Sequence, residues 1–408
     1  MVIIEKYTQF ETFSEEYHSS DWVFLHFIGS KNKHPLNDYP LMLYVRTSND
    51  NEYILSFAHD EAAELTLDAL TYLDNDKPKY VADIKAVCHF TNFRNVIDLQ
   101  QAEFQEHGNL IDNQVFLTTS HRFFYSKGMN NYVVPLMKHL ECCQDLFTNY
   151  KENIGVEYND FYRDANKVFA EVERAGLYVN PLKVPRGQSD NISKDYLMFT
   201  NYNVLTSTGR PSNTYDGLNF AALNKNDGSR KMIESRYDEL IEFDFDAYHV
   251  RLIGKIIGYD FGTESVHEHF SKLYNVSYEE SKSMTFKYLY GGVPDDIAKN
   301  HEFFGKVKDF YTKLWSRFNR DKVFLTDIYK RRITLDVKEF YPSKLFNYMI
   351  QSLETERNIV ILKSLLKEIK DFKSKLVLYH YDSFLFDYNK NDGDKFVEIV
   401  QKELQRDG

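Results

Sequence analysis

Residues 277–291, SYEESKSMTFKYLYG, constrain this chain more tightly than any other stretch of it. Ser277 followed three residues later by Glu280 is a capping box, in which each side chain satisfies the other residue's backbone amide, so a helix is predicted to begin here. On that helix Lys282, Phe286 and Tyr290 recur every fourth residue, and at about 100° per residue they hold to a stripe roughly 80° wide. One face thus carries an ammonium, a flat ring and a phenol, and it runs into the break offered by Gly291-Gly292. An ammonium for phosphates, with rings for a sugar and a base, suits a nucleotide. An ordinary amphipathic helix with one snorkelling lysine has the same spacing, so the reading depends on what else the chain carries.

A chain of 408 residues suits two or three domains with substantial cores, and its 30 Tyr and 32 Phe argue for a folded protein. No run of eighteen apolar residues occurs, so no membrane partner is expected, and the first residues, MVIIEKYTQFETF, lack the pattern of a secretion signal. Cys88, Cys142 and Cys143 show no metal-ligand spacing and cannot all pair with one another, which makes a reducing cytoplasm the expected location, a host's if the chain is viral. Net charge is -11, which on its face argues against nucleic acid. The charge is uneven, however: 11 Lys and Arg stand against 21 Asp and Glu through residue 150, but 11 against 6 over residues 302–344. Phosphate binding depends on the local footprint, so a basic groove remains open to the second half of the chain.

Residues 21–57 read as extended segments, DWVFLHFIG, PLMLYVRTS and EYILSFA, with Asn- and Asp-rich turns between them. Helical stretches over 59–73, a short strand over 79–87 and further helices to about residue 150 are predicted to complete a mixed-sheet domain. Residues 161–175 read as a helix stopped by Gly176, and the irregular stretch 179–203, with Pro181, Pro185 and Gly187, is the expected domain junction. TSTGRPS, residues 206–212, is a hydroxyl-rich turn around Arg210. Residues 240–245 read as a buried strand feeding a helix whose Val250, Ile253, Ile256 and Ile257 recur at helical spacing. Asp244 falls at that strand's end, where it or Asp246 could equally serve as an N-cap. Amphipathic helices to about 327 lead to Lys330-Arg331-Arg332, a helix is predicted over 342–371, and SKLVLYHYDSFLFDY reads as a β-hairpin with Asp382 at or near its tip.

An Asp at a strand end, a Lys/Phe/Tyr helix face and an Asp at a hairpin tip therefore follow one another in the chain. Two carboxylates brought together on neighbouring strands repel unless a cation sits between them. A two-metal phosphoryl-transfer site needs such a pair, because Mg²⁺ ions there bridge carboxylates and a triphosphate.

This arrangement resembles family A DNA polymerases, the class that includes bacterial polymerase I and many bacteriophage replicative enzymes. Residues 244–251, DFDAYHVR, match the palm motif of that family; Lys282 to Gly291 match its fingers helix, K-x3-F-x3-YG; and Tyr381-Asp382-Ser383 match its second carboxylate motif. Thr208-Gly209-Arg210-Pro211-Ser212 looks like the family's T-G-R-x-S, and Asn347 with Gln351 looks like its minor-groove-reading helix. The resemblance implies an α/β (α+β) chain with a right-hand polymerase palm and fingers over 206–408, the fingers at about 262–330. It also implies template-directed addition of dNTPs to the 3′ end of a primer on primer-template DNA, with two Mg²⁺ ions, or Mn²⁺ as a substitute, as in phage genome replication.

Carried over residue by residue, Asp244 and Asp382 would hold both metals and Lys282 would contact the triphosphate. Phe286 and Tyr290 would line the sugar and base, and Arg210, Asn347 and Gln351 would touch the duplex, with Arg251, Arg331 and Arg332 as further DNA contacts. His249 stands where the family usually has a glutamate that blocks a 2′-hydroxyl, and Tyr278 where an arginine usually helps to bind phosphate. Ser383 replaces a common glutamate and Tyr381 a histidine. These departures leave the metal aspartates in place and bear on substrate affinity and sugar selectivity.

Residues 1–150 more loosely resemble the 3′-5′ exonuclease domain that precedes many such polymerases, an RNase H-like fold whose activity needs an Asp-x-Glu on its first strand and further aspartates. His26-Phe27-Ile28 and Lys85-Ala86-Val87 supply no such carboxylates, and only Asp83 and Asp98 remain, so the expectation is a degenerate, non-proofreading scaffold. Residues 151–205 are expected to form a reduced thumb or linker, since some thirty residues stand where the family has long helices. The end of the sequence, KELQRDG, follows the hairpin closely where the family has a last palm strand. A truncated sequence, a processivity factor or a second polymerase fragment is the expected complement. A single-subunit RNA polymerase is the nearest alternative, sharing the Lys to Tyr-Gly spacing and an Asp-Ser, though its gate position is small where His249 is bulky. A non-catalytic DNA-binding subunit of a split polymerase is the other, against which the retained Asp244, Asp382 and Lys282 speak.

Overall fold

The structure is a computed structural model that describes residues 2–29, 34–111, 134–185, 187–188, 191–213, 219–220, 223–224, 226–333 and 340–405. The helices expected between 112 and 133, residues 334–339 of the basic stretch and the last three residues of the chain fall outside these. The chain divides into two compact units, one running to Asn201 and taking in the segment that ends at Ile233, the other made of Tyr202–Tyr215, Asn219–Asn224 and everything from Glu234 onward.

In the first unit β1 (Val2–Ile4) and helix α1 (Tyr7–Ser19) precede β2 (Val23–Gly29), β3 (Pro40–Thr47), β4 (Glu52–Ser56), β5 (Lys79–Val81) and β6 (Val96–Asp98). These strands form one mixed sheet in the order β1-β4-β3-β2-β5-β6. β2 pairs antiparallel with β3 and parallel with β5, which places it inside the sheet. Its near-continuous apolar run reflects burial on both faces: Val23, Leu25 and Phe27 join Phe10, Phe13 and Tyr17 of α1 in one core, while Phe24 packs edge-on to Phe147. Helices α2 (Ile84–Phe90), α3 (Leu99–His107), α4 (Leu136–Tyr150) and α5 (Asp160–Ala175) follow, and Gly176, at φ +65°, ends the last as anticipated. Short strands β7 (Leu177–Tyr178) and β8 (Leu197–Met198) pair beyond it.

Two expectations in this unit are corrected. Within 59–73 the only helical turn is a 3₁₀ segment, Leu67–Leu73, because Leu65, Leu70 and Leu73 dock on the sheet core and the hydroxyl- and acid-rich residues between them offer no continuous apolar face. The strand placed at 79–87 ends at Val81, since Asp83 accepts from the Lys85 amide and so caps α2.

The second unit is built on a three-stranded antiparallel sheet of β9 (Glu239–Asp244), β12 (Lys375–His380) and β13 (Ser383–Tyr388), in the order β12-β13-β9. Between β9 and β12 come α6 (Tyr248–Ile257), α7 (Val266–Tyr274), α8 (Tyr278–Gly291), α9 (Asp295–Asn300), α10 (Glu302–Asp321), the small pair β10 (Phe324–Leu325) and β11 (Arg332–Ile333), and α11 (Pro342–Glu368). Helix α12 (Gly393–Gln405) follows the sheet. The capping box is formed as the sequence implies, with Ser277 Oγ accepting from the Glu280 amide and Glu280 accepting from the Ser277 amide. Val250 and Ile253 of α6 meet Phe270, Leu289, Phe303, Phe304, Phe346 and Ile350 in an aromatic-rich core that fixes α6, α7, α8, α10 and α11 against one another.

Candidate active site

The sheet register brings the two expected carboxylates together. Ser383 pairs with Asp244 across β13 and β9, and the Phe245 amide donates to the Asp382 carbonyl at 3.0 Å. His380 pairs with Ser383, so Tyr381 and Asp382 form a two-residue hairpin turn, and Tyr381 takes a left-handed backbone at φ +60°. Ala247, where β9 turns into α6, is also left-handed, at φ +46°. Left-handed non-glycine residues cost about 1–2 kcal/mol each, and both lie within a few residues of a candidate metal ligand, as backbone strain often does at functional sites.

The turns are held by buried groups. Asn358 of α11 accepts from the Tyr248 hydroxyl at 3.0 Å and donates to the Tyr379 hydroxyl at 2.8 Å and the Tyr381 carbonyl at 2.7 Å. Asp246 does not cap α6, whose N-cap is Ala247 with no side-chain cap; its carboxylate instead accepts from the Val266 amide at the start of α7 and from Arg251.

Asp244 and Asp382 are exposed carboxylates at adjacent strand ends, hard oxygen donors of the kind that Mg²⁺ takes. A third carboxylate stands beside them: Ser383 Oγ donates to Glu242 Oε1 at 2.5 Å, and Glu242 lies two residues before Asp244 on the same face of β9. These carboxylate oxygens are of the type that suits a divalent cation.

On α8, Lys282 is exposed, and Phe286 stacks with Tyr290 at 5.8 Å between centroids and 12° between planes. Tyr278 is partly exposed, with its ring edge-on to His267. The Tyr290 hydroxyl meets His249 Nδ1, and Asn347 donates to the Tyr290 carbonyl at 3.2 Å. Burial, then the negative charges of Glu354 and Asp382, push the Tyr290 phenol pKa up, partly offset by Arg210. Arg210 lays its guanidinium 3.6 Å from the centroid of the Tyr381 ring, and Thr208 Oγ1 approaches Gln351 Oε1 at 3.5 Å. Asp244, Asp382, Arg210, His249, Tyr290, Asn347 and Gln351 are therefore linked through short contacts in one unit.

Two arginines expected at DNA have partners within the chain. Arg331 is buried and donates to the Thr208 carbonyl at 2.7 Å, with its guanidinium near Glu356, so it holds the TGR turn in place. Arg251 is engaged by Asp246 and the Glu264 carbonyl. Arg332 is exposed. Sequence reasoning missed Glu354 and Asn358. Their signal was present, since Asn347, Gln351, Glu354 and Asn358 recur at helical spacing along one helix.

In the first unit, His34, His89 and Glu173 bring possible ligand atoms within 4.8 Å of one another. Lys85 Nζ also bonds Glu173, and His34 Nε2 approaches the Thr200 carbonyl at 3.0 Å. The lysine ammonium already supplies the positive charge that this buried carboxylate requires, so the group reads as an ion-pair network. Asp98, also buried in the first unit, accepts from the Ile84 and Gln101 amides and is pushed up to about 7 by burial and by Asp83.

No protein-family model and no curated protein matches the sequence. Among solved structures, the chain is similar to the POL domain of Pol1 from M. smegmatis in complex with DNA primer-template and dNTP. The TM-score is 0.71 at 13% identity, over 99% of this chain and 96% of that one. The likeness establishes a mixed α/β fold with a polymerase palm and fingers.

Proposed function

We propose that this chain is a template-directed DNA polymerase that adds deoxynucleotides to a primer 3′ end, of the family A type used by bacteriophages for genome replication. The observation that carries the reading is the pairing of Asp244 with the turn that bears Asp382, in the same unit as the Lys282, Phe286 and Tyr290 face of α8 and within a POL-domain fold.

Asp244 and Asp382 would hold two Mg²⁺ ions, which when bound screen the triphosphate and make the primer hydroxyl a better nucleophile. The exposed Lys282 ammonium faces the triphosphate, a charge-assisted contact of about 1.5–3 kcal/mol. Phe286 and Tyr290 offer stacked rings to the base and sugar, with Tyr278 a turn before Lys282. His249 fills the space beside the sugar's 2′ carbon. Arg210, Asn347, Gln351 and Arg332 meet the primer-template, while Arg331 and Arg251 act by holding the TGR turn and the β9–α6 corner. The β1–β6 unit is proposed to be an exonuclease-type scaffold without proofreading, because Asp83 and Asp98 serve as helix caps and β2 carries His26 where a carboxylate pair is needed. A processivity factor or second polymerase fragment would supply the duplex contacts that a short 151–205 segment leaves out.

Single-turnover primer extension with Mg²⁺ tests the proposal, each deoxy- and ribonucleotide being supplied separately on four templates. Addition of the complementary deoxynucleotide alone is expected. Extension that ignores the template base, or that prefers ribonucleotides, would contradict it.

A further inference from the structure

Glu354 is buried in α11, 1% exposed. Its two oxygens face different partners: Oε1 lies 3.2 Å from His249 Nε2 and Oε2 3.2 Å from Arg210 Nε. Both are ion-pair approaches rather than aligned hydrogen bonds. His249 turns its other nitrogen, Nδ1, to the Tyr290 hydroxyl, and Arg210 stacks on Tyr381 in the turn that carries Asp382. One carboxylate therefore joins the helix face offered to the nucleotide, the residue at the sugar position and the hairpin turn.

A buried carboxylate is costly unless paired, and the Arg210 guanidinium supplies the pairing charge. The histidine then needs only to donate. An N–H on Nε2, turned toward the carboxylate, leaves Nδ1 bare to accept the Tyr290 hydroxyl proton. Burial and the charge of Glu354 raise the Tyr290 pKa, which keeps the phenol a donor.

We infer that Glu354 is a positioning residue for sugar discrimination: it fixes the tautomer and placement of His249 and, through His249, the orientation of Tyr290 beside the nucleotide's sugar. The inference rests on the polymerase reading of the site and adds to it a residue that never touches the substrate. With an amide in place of the carboxylate, Arg210 competes for the single oxygen and Nε2 no longer faces an anion, so the ring is free to turn and the space beside the 2′ carbon is no longer held closed.

Glu354→Gln, which keeps the shape and removes the charge, is expected to lower the preference for deoxy- over ribonucleotide by roughly tenfold or more, as a loosened steric pocket does. His249→Ala should lower it at least as far, and the double variant no further than His249→Ala alone. A residue serving the core only would slow both sugars equally, so an unchanged ratio in Glu354→Gln, or additive effects in the double variant, overturns the inference. ¹⁵N NMR of histidine-labelled protein, with His249→Ala assigning the resonance, provides a readout that needs no turnover. The Nε2-protonated tautomer is expected in the wild type, with the Nδ1-protonated form appearing in Glu354→Gln; the same tautomer in both overturns the inference. Failure of the wild type to extend a primer would count against the polymerase reading itself, and the NMR result would still decide the role of Glu354.

Discussion

Replacing Asn358 with alanine should damage the site without touching any group that meets the nucleotide. Asn358 is fully buried and makes three hydrogen bonds, to Tyr248, Tyr379 and the Tyr381 carbonyl. At about 1 kcal/mol for each neutral bond the loss is about 3 kcal/mol, before any cost of the small cavity. The chain has two tryptophans, Trp22 in the first unit and Trp315 in the second, and Trp315 packs on Phe318. In a Trp22→Phe background, Trp315 fluorescence therefore reports on urea unfolding of the unit that holds the site. With a slope of about 2 kcal/mol per molar urea, the midpoint should fall by about 1.5 M. Tyr381 would also lose the anchor that offsets its left-handed backbone, so nucleotide addition should slow by roughly tenfold, the equivalent of about 1.4 kcal/mol in the barrier. A midpoint shift under about 0.3 M together with unchanged turnover would refute the view that Asn358 holds the Asp382 turn.

Glu173→Gln should destabilise the first unit by about 3 kcal/mol, because it breaks a buried ion pair and leaves the Lys85 ammonium without its carboxylate; Trp22 fluorescence in urea reports it. The His139 imidazole is buried and lies beside His59, which lowers its pKa to about 4. Its neutral form is thus favoured by folding, and stability that is complete above pH 6.5 should be lost as pH falls toward 4, by about 3 kcal/mol in all; His139→Leu should flatten that dependence in urea midpoints taken at pH 7 and pH 4.5. Lys282→Ala should raise the KM for dNTP by tenfold or more and leave the melting temperature in place, since the side chain is exposed and carries a phosphate contact of about 2 kcal/mol.

The parts of the fold that could be read from the chain are those whose cause is local. Ser277 and Glu280 satisfy one another's amides over a single turn, and Gly176 ends a helix by its own backbone freedom, so both were legible. The hairpin around Asp382 was legible for the same reason, with two apolar runs flanking a two-residue turn. What escaped was set by tertiary contact. Residues 59–73 hold helix-tolerant residues, yet the sheet core takes Leu65, Leu70 and Leu73 in a mostly irregular course. β6 is three residues long and exists as a strand because β5 pairs with it. Arg331 and Arg332 are neighbours of equal charge, yet Arg331, just before β11, turns inward to Thr208 while Arg332 faces solvent, a choice that charge alone does not reveal. Glu354 carries no motif, and its importance comes from what α11 brings beside it.

The central claim is that Asp244 and Asp382 together make a site for metal-dependent nucleotide addition, and Asp→Asn substitution at each tests it most directly. Both side chains are exposed and the ladder between β9 and β13 does not depend on their charge, so thermal unfolding of each variant should match the wild type. Single-nucleotide addition to a primer in Mg²⁺, measured for the wild type, Asp244→Asn and Asp382→Asn, should then show complementary deoxynucleotide addition by the wild type. Each variant should be slower by on the order of 10³-fold, as expected for loss of a ligand worth several kcal/mol of transition-state stabilisation. Near-wild-type turnover in both variants would contradict the claim.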